Sequence, residues 1–125
     1  MNKTIRTANA PAAIGPYSQA VKAGHLVFVS GQLGINPATG LLVGDDFRSQ
    51  ALQAFRNVKA LVEATEGTLK DAVKVTVFLA SMDDFPSLNE VYAQFFTEPY
   101  PARSAVAVKA LPKNALVEIE VICAL

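Results

Sequence analysis

Apolar residues alternate with polar ones in several short segments of this chain, as they do in half-buried β-strands. The clearest segment, LVFVS at residues 26–30, is β-branched and aromatic and is bounded by Gly24 and Gly31. Turn-forming residues separate the segments, including NPATG at 36–40 and LPKN at 111–114. The predicted strands are residues 26–30, 73–79, 104–108 and 116–123, and residues 23–25 are predicted to connect the first of them tightly to another short strand.

After the first strands, the apolar residues recur with the spacing of an α-helix. Asp45 or Asp46 can cap a helix that is expected to run to about Glu66 and to stop at Gly67. Apolar residues three or four positions apart define the face that this helix buries. They are Phe47, Ala51, Phe55, Val58 and Val62.

A second helix is predicted after Asp83 or Asp84, with Pro86 in its first turn and Pro99 and Pro101 beyond its end. The order of elements is therefore strands, helix, strand, helix, strands, which is typical of an α+β sheet with two helices on one face. Such a sheet leaves its other face bare, and the apolar residues there predict a contact with another subunit. The apolar stripe of this helix consists of Phe85, Leu88, Tyr92 and Phe95.

Length and charge narrow the classes of function. A chain of 125 residues predicts a single domain, residues 1–125. Eleven basic residues balance eleven acidic ones, which argues against a nucleic-acid partner because such binding depends on neutralising phosphates. No apolar segment is as long as that of a signal peptide or a membrane span. The single cysteine, Cys123, suits a reducing compartment. These features predict a cytoplasmic protein without a membrane partner.

One arginine stands out by its surroundings. Arg103 lies in PARSA, residues 101–105, between a proline and the start of a predicted strand, so its backbone is stiff. Its planar guanidinium matches a carboxylate in two parallel hydrogen bonds. An ordinary surface arginine is the alternative, and local chemistry alone favours it.

The last predicted strand contains two glutamates on one face. Alternation in VEIEV places Glu118 and Glu120 together and sends Val117, Ile119 and Val121 to the opposite face. Carboxylates among aliphatic residues lie either on a solvent-exposed face of the sheet or in a functional site, and the pattern alone does not decide between the two. Partial burial would raise the pKa of either glutamate and make it a better general base.

Other residues are weaker candidates for ligand contacts. Tyr17 follows a Gly-Pro turn, and Ser30 and Gly31 end a strand where a ligand could approach the backbone. Asn89 in the second helix is as well explained by a structural hydrogen bond, and His25 by a solvated hairpin turn. Histidine and cysteine are not spaced as metal ligands, and no glycine-rich phosphate loop is present, so neither a metal nor a cofactor is predicted.

Eight blocks in order make the chain similar to the Rid family of reactive intermediate deaminases, also called the YjgF family. The YPARS block resembles that of the RidA-like subgroup. The blocks are 9–20 (NAPAAIGPYSQA), 29–32 (VSGQ), 57–61 (NVKAL), 73–79 (VKVTVFL), 85–89 (FPSLN), 100–104 (YPARS), 111–112 (LP) and 117–120 (VEIE).

This resemblance implies a chorismate-mutase-like fold, in which three subunits pack their sheets into a central β-barrel with the helices outside. It also implies a ligand cleft at each subunit boundary. There Arg103 would clamp the substrate carboxylate and Glu118 would position the attacking water. The remaining cleft residues would be Tyr17, Ser30, Gly31, Phe85, Asn89 and Ala105, with Gly31 and Ala105 acting through the main chain.

The activity that the resemblance implies is cofactor-free hydrolysis of 2-iminobutanoate and 2-iminopropanoate to 2-oxo acids and ammonia. The main alternative is a non-catalytic trimer that binds small carboxylates as a sensor, or acts as a chaperone. A ribonuclease, as some relatives have been described, fits a chain of zero net charge least well. Many relatives have cysteine where this chain has Ala105, so roles based on a thiol at that position do not transfer.

Overall fold

The computed structural model describes residues 1–125 and shows a six-stranded sheet with two α-helices, so the predicted α+β class is confirmed. Three short 3-10 turns lie at Leu69–Asp71, Met82–Asp84 and Pro112–Asn114. None of the helices has both the length and the apolar character needed to cross a bilayer. In chain order, the strands and helices are β1 (Lys3–Ile5), β2 (Ala20–Ala23), β3 (Leu26–Gln32), α1 (Phe47–Glu63), β4 (Ala72–Leu79), α2 (Phe85–Tyr92), β5 (Ala102–Ala107) and β6 (Val117–Ala124).

The sheet is mixed, with the strand order β1-β2-β3-β6-β4-β5. Every neighbouring pair is antiparallel except β4 and β5, which are parallel and joined through α2. The last strand, β6, lies at the centre of the sheet, and β5 forms one edge. The register between β3 and β6 shifts between Val29 and Gln32, which marks a bulge at Ser30 and Gly31.

The main core lies between one face of the sheet and the two helices. The predicted stripe of α1 is confirmed, since Phe55, Val58 and Val62 are fully buried. Alternate residues of β4 and β6, such as Val77 and Ile119, are fully buried against them. Each such side chain contributes about 1.5–3 kcal/mol through removal of its surface from water.

Helix α1 begins as predicted and ends earlier. Asp46, rather than Asp45, is the N-cap: its carboxylate accepts a hydrogen bond of 2.9 Å from the backbone N–H of Ser49. The helix ends at Glu63, three residues before the expected Glu66. Beyond it the backbone N–H groups of Thr65 and Glu66 donate to carbonyls three residues back, and that of Gly67 donates to the carbonyl of Val62, which closes the last turn. Glu66, and not Gly67, takes the left-handed conformation beyond the end, with φ of 69°.

The predicted bounds of α2 and of the strands also shift. α2 ends at Tyr92, so Phe95 lies beyond it, and Asp84 occupies the N-cap without a side-chain hydrogen bond. Strand β5 begins at Ala102 rather than Ser104, because its parallel pairing with β4 starts there. Strand β3 continues through the bulge to Gln32, and the short strand β1 was not predicted.

The face of the sheet away from the helices, here called the open face, is partly apolar. Phe28 and Val106 are 43% and 46% exposed on it. They alternate with polar side chains, among them Lys74, whose ammonium donates a hydrogen bond of 3.0 Å to the hydroxyl of Ser104. A small buried cluster of Leu33, Leu111 and Ala115 packs against Phe78 at one end of this face. The chain leaves Phe28 and Val106 exposed.

Candidate functional site

Arg103 lies on the edge strand β5 with its side chain on the helix-covered side of the sheet. Its strand partner is Val75, which is fully buried under the helices. The guanidinium donates a hydrogen bond of 2.9 Å from Nη1 to the side-chain oxygen of Asn89 on α2. Arg103 forms no ion pair with a carboxylate of the chain, so its charge is free for an anionic ligand.

Two aromatic rings of α2 lie beside the guanidinium. The central carbon Cζ of Arg103 is 4.7 Å from the centroid of the Tyr92 ring and 5.5 Å from that of Phe85, distances at which a cation is attracted to a ring. A pocket of about 380 Å³, here called the Arg103 pocket, opens at this point. It is lined by Asn89, Tyr92, Ala93, Tyr100, Pro101 and Arg103.

Ala105 follows Arg103 by two residues and therefore points to the same side of β5. Its strand partner is the fully buried Val77, and its methyl group packs against the main core. β5 has one neighbouring strand only, so the backbone groups along its other edge are not used by the sheet. The prediction that Ala105 contacts a ligand through its main chain is compatible with this position.

Glu118 lies on the open face, on the central strand β6, where its partner on β4 is Phe78. The carboxylate packs against the Cα of Gly31 at the bulge of β3. A Cβ atom at position 31 would lie 2.8 Å from the carboxyl carbon of Glu118, so only glycine leaves room for the carboxylate there.

The surroundings of Glu118 favour its protonated form. Partial burial raises the pKa of the Glu118 carboxyl above its ordinary value, and the neighbouring Glu120 carboxylate raises it further. A carboxylate with a raised pKa binds a proton more readily, as a general base must. The predicted placement of both glutamates on one face is confirmed: Glu118 is half-buried and Glu120 is exposed, whereas Ile119 between them is fully buried.

Glu118 lines a large groove, of about 660 Å³, that also contains the predicted residues Tyr17, Ser30 and Gly31. Glu120 also lines this Glu118 groove. Its border is formed by Pro11, Ala12, Ile14, Leu33, Ile35, Pro37, Pro112 and Lys113. Tyr17 is half exposed at its rim. The Ser30 hydroxyl donates a hydrogen bond of 2.6 Å to the carbonyl of Ser18, which leaves its oxygen able to accept one from a ligand.

Buried amides fix the walls of the groove. The side chain of Gln19 accepts from the backbone N–H of Thr7 and donates to the carbonyls of Thr7 and Pro11, which ties the N-terminal segment to β2. Asn57 on α1 donates to the carbonyls of Leu33 and Ile35 on the opposite wall. The N-terminal segment and the loop that contains Leu33 and Ile35 are thus held by hydrogen bonds that are sheltered from water.

The single cysteine is not placed for chemistry. Cys123 is fully buried on the helix-covered side of β6, and burial raises the pKa of its thiol to about 11. The thiolate, which is the nucleophilic form, is therefore scarce at neutral pH.

The structure brings the predicted site residues together in two groups rather than one. Arg103, Ala105, Phe85 and Asn89 lie on the helix-covered side of the edge strand, and Tyr17, Ser30, Gly31 and Glu118 lie around the groove of the open face. The Arg103 pocket and the Glu118 groove have no lining residue in common. Within one chain the guanidinium and the carboxylate are therefore separated by the sheet.

Sequence reasoning missed two residues beside these groups. Tyr92 was assigned only to the apolar stripe of α2, although its position three residues after Asn89 places both on one helix face. Lys113 borders the Glu118 groove from a turn in which it and Asn114 both have left-handed φ angles, of 58° and 54°. Asparagine is enriched in that conformation, so Asn114 carries a weak sequence signal for it, whereas nothing in the sequence marks it at Lys113.

Comparison with known proteins adds evidence that the geometry alone does not provide. A model of the family described as endoribonuclease L-PSP matches residues 7–125. A 2-iminobutanoate/2-iminopropanoate deaminase from Dermatophagoides farinae is 51% identical over 118 residues, which are 94% of this chain and 92% of that protein.

Solved structures match equally well. RidA from an Antarctic Psychrobacter bacterium has a TM-score of 0.95 and 53% sequence identity, and the match covers 98% of this chain and 99% of that one. TdcF from Escherichia coli, solved with bound serine, has a TM-score of 0.93 and 46% identity over 98% of both chains.

Proposed function

This chain belongs to the endoribonuclease L-PSP family, which is the Rid or YjgF family, and we propose that it is a deaminase that hydrolyses 2-iminobutanoate and 2-iminopropanoate to 2-oxo acids and ammonia. Relatives of about 50% identity over nearly the whole chain bear the name of this activity. The reaction requires that a carboxylate be held while water adds to a neighbouring carbon.

The observation that most strongly supports the proposal is the state of Arg103. Its guanidinium is oriented by Asn89 and by the ring of Tyr92, yet no carboxylate of the chain neutralises it. A fixed cation without a partner can accept a small carboxylate in two parallel hydrogen bonds without first breaking an internal ion pair. The substrate would occupy this position with C2, the carbon to be attacked, next to its bound carboxylate.

Hydrolysis then needs one base. A protonated imine is electrophilic at C2, and Glu118 accepts a proton from water as the water oxygen bonds to that carbon. Glu118 returns that proton to the nitrogen of the resulting carbinolamine, and the C–N bond breaks to release ammonia. The hydroxyl becomes the oxo group by giving its proton to the Glu118 carboxylate, which passes it to water or ammonia. General-base help of this kind accelerates a reaction by about 10²–10⁴-fold, and positioning by Arg103 adds to it.

Because the sheet separates Arg103 from Glu118 within one chain, a complete site requires a second copy. The Arg103 pocket of one subunit would face the Glu118 groove of the next, and Tyr17, Ser30 and the main chain at Gly31 and Ala105 would complete the cleft. Contact between two different surfaces closes into a ring when the rotation allows it. The proposed assembly is a homotrimer of the chorismate-mutase-like type, with the open faces packed into a central barrel that covers Phe28 and Val106.

The substrates would be small. The family member TdcF binds serine in its crystal structure, and the Arg103 pocket of this chain is of a size to take the carboxylate end of such a molecule. Dehydratases that use pyridoxal phosphate release such imines from threonine and serine. The free thiol of Cys123 fits the reducing conditions of the cytoplasm, where those enzymes act.

A trimer that binds small carboxylates without transforming them, or acts as a chaperone, would use the same arginine. A carboxylate beside an anionic ligand weakens binding, so Glu118 has a purpose in an enzyme and none in a simple binder. The two functions are therefore distinguished at Glu118.

The experiment couples threonine dehydratase to this protein and measures how long the imine survives by trapping it with semicarbazide. The protein is expected to shorten the lifetime of the imine. Glu118→Gln should hydrolyse it at least about tenfold more slowly, while still binding 2-oxobutanoate, because the amide keeps the size of the side chain and removes the base.

Glu120→Gln is the matched control, since Glu120 is exposed on the same face of the same strand. It is expected to retain most of the activity. If both variants match the wild-type rate, neither glutamate is the base, and the binding function becomes the better account. If only Glu120→Gln is impaired, the mechanism stands with the two glutamates exchanged.

A further inference from the structure

Three side chains on one face of α2 surround the guanidinium of Arg103. Phe85, Asn89 and Tyr92 follow each other by four and three residues, so successive turns of the helix present them on the same side. Asn89 accepts a hydrogen bond from Nη1, and the guanidinium lies nearer to the Tyr92 ring than to that of Phe85. Of the two rings, Tyr92 is therefore the principal one beneath the cation.

The Tyr92 ring is itself fixed by other aromatic residues. It stacks on Phe96 with 4.6 Å between ring centroids and meets the edge of Phe55 at 5.8 Å, and it is 6% exposed. A ring held in this way offers the cation a rigid surface, and the attraction between them is stronger where water is partly excluded. Arg103 comes from an edge strand, so this surface limits the orientations of a long side chain.

We propose that Tyr92 is a positioning residue of this enzyme: its ring holds the guanidinium of Arg103 in the orientation that receives the substrate carboxylate. The inference rests on the proposed function, because it assigns Arg103 the carboxylate. It extends that function by one residue, which acts through Arg103 and not on the reacting atoms. The ring performs this role and the hydroxyl does not.

The hydroxyl of Tyr92 supports this division. It is buried and has no hydrogen-bond partner in the chain, so it stabilises nothing within it. Tyr92→Phe is therefore the conservative variant. It keeps the ring beneath the guanidinium, and it should restore the kinetics that a variant without the ring loses.

The test compares Tyr92→Leu with Phe96→Leu. Both changes remove one ring from the same buried cluster, but Phe96 is not one of the rings beside the guanidinium. Tyr92→Leu is expected to raise the KM for imine, and to weaken binding of 2-oxobutanoate, by about threefold to thirtyfold, the range for loss of a cation–ring contact. Phe96→Leu leaves the Tyr92 ring in place against Phe55, so it should raise both clearly less than Tyr92→Leu does, while costing comparable stability.

The Arg103→Ala variant is the background in which the dependence of the Tyr92 effect on Arg103 is measured. If Tyr92 acts through Arg103, adding Tyr92→Leu to Arg103→Ala should not lower the residual rate further. Pentafluorophenylalanine at position 92 covers the case in which the leucine variant fails to fold. It keeps the shape of the ring and reverses its charge distribution, so its KM should exceed that of Tyr92→Phe.

Three outcomes would overturn the inference alone: equal effects of Tyr92→Leu and Phe96→Leu on KM, an undiminished effect of Tyr92→Leu in the Arg103→Ala background, or equal KM values for the fluorinated and plain rings. Normal hydrolysis by Arg103→Ala is a separate result. It would remove the carboxylate clamp itself and with it the proposed function.

Discussion

At the scale of single residues, the proposed mechanism makes the protonation of Glu118 set the pH range in which the enzyme can work. The side chain acts as a base only when ionised, and both burial and Glu120 raise the pKa of its carboxyl above the ordinary glutamate value of 4.5. The rate therefore falls as pH drops through this raised pKa, and the acid limb of kcat/KM should lie above pH 4.5.

Replacement of the neighbouring charge tests this assignment. Glu120→Gln removes the repulsion that raises the pKa of Glu118, so the acid limb should move to lower pH. Glu66→Gln, remote from the groove, controls for the change in net charge and should leave the limb in place. Protonation of the imine substrate is common to all three proteins and cancels in the comparison. An acid limb that stays fixed in Glu120→Gln would show that Glu118 does not control it.

At the scale of elements, the bulge in β3 is the feature that makes room for the base. An alanine at position 31 would place its Cβ 2.8 Å from the carboxyl carbon and 3.0 Å from Oε2 of Glu118. The carboxylate can swing away, so Gly31→Ala should change the melting temperature little and lower kcat/KM at least about tenfold, the smaller end of a general-base contribution.

Gly34→Ala is the contrasting variant at the same strand end. Its Cβ would overlap the backbone of Gln50, which cannot move without disturbing α1, so it should lower the melting temperature strongly. Thermal unfolding and imine hydrolysis of the two variants check both statements. Wild-type activity in Gly31→Ala would contradict the position given to the Glu118 carboxylate.

The elements themselves were largely predictable, and the reason is periodicity. The stripe of α1 and the alternation in β6 follow from spacing alone, and the structure confirms both. The ends were less predictable, because α1 closes with a backbone hydrogen bond from Gly67 to the carbonyl of Val62 and β5 starts where pairing with β4 begins. Both depend on contacts that become visible only in the folded chain.

The candidate site residues came from the resemblance, and their arrangement in one chain could not be read from the sequence. The register of the strands pairs Arg103 with the buried Val75 and Glu118 with Phe78 of the open face, which places the two on opposite sides of the sheet. Register between distant strands depends on long-range pairing, which local patterns do not specify. The placement of Phe85, Asn89 and Tyr92 around Arg103 also depends on long-range packing, in this case of α2 beside the edge strand β5.

At the scale of the whole molecule, the proposed mechanism makes assembly a condition for activity, because Arg103 and Glu118 are separated within one chain. The open face exposes Phe28 and Val106, and a contact there would bury them. We expect about three chains per particle by light scattering, as for a closed ring. A stable and active monomer would contradict the composite site.

Mixing two strongly impaired variants tests the central claim most directly. Arg103→Ala and Glu118→Gln each lack one half of the site. When equal amounts are unfolded and refolded together, about one quarter of the clefts should pair an intact Arg103 with an intact Glu118 from the neighbouring chain. The account predicts that imine hydrolysis in the mixture recovers to about a quarter of the wild-type rate, while each variant refolded alone keeps only its low residual rate. A mixture of normal assembly state that is no more active than its two components would contradict a site shared between chains.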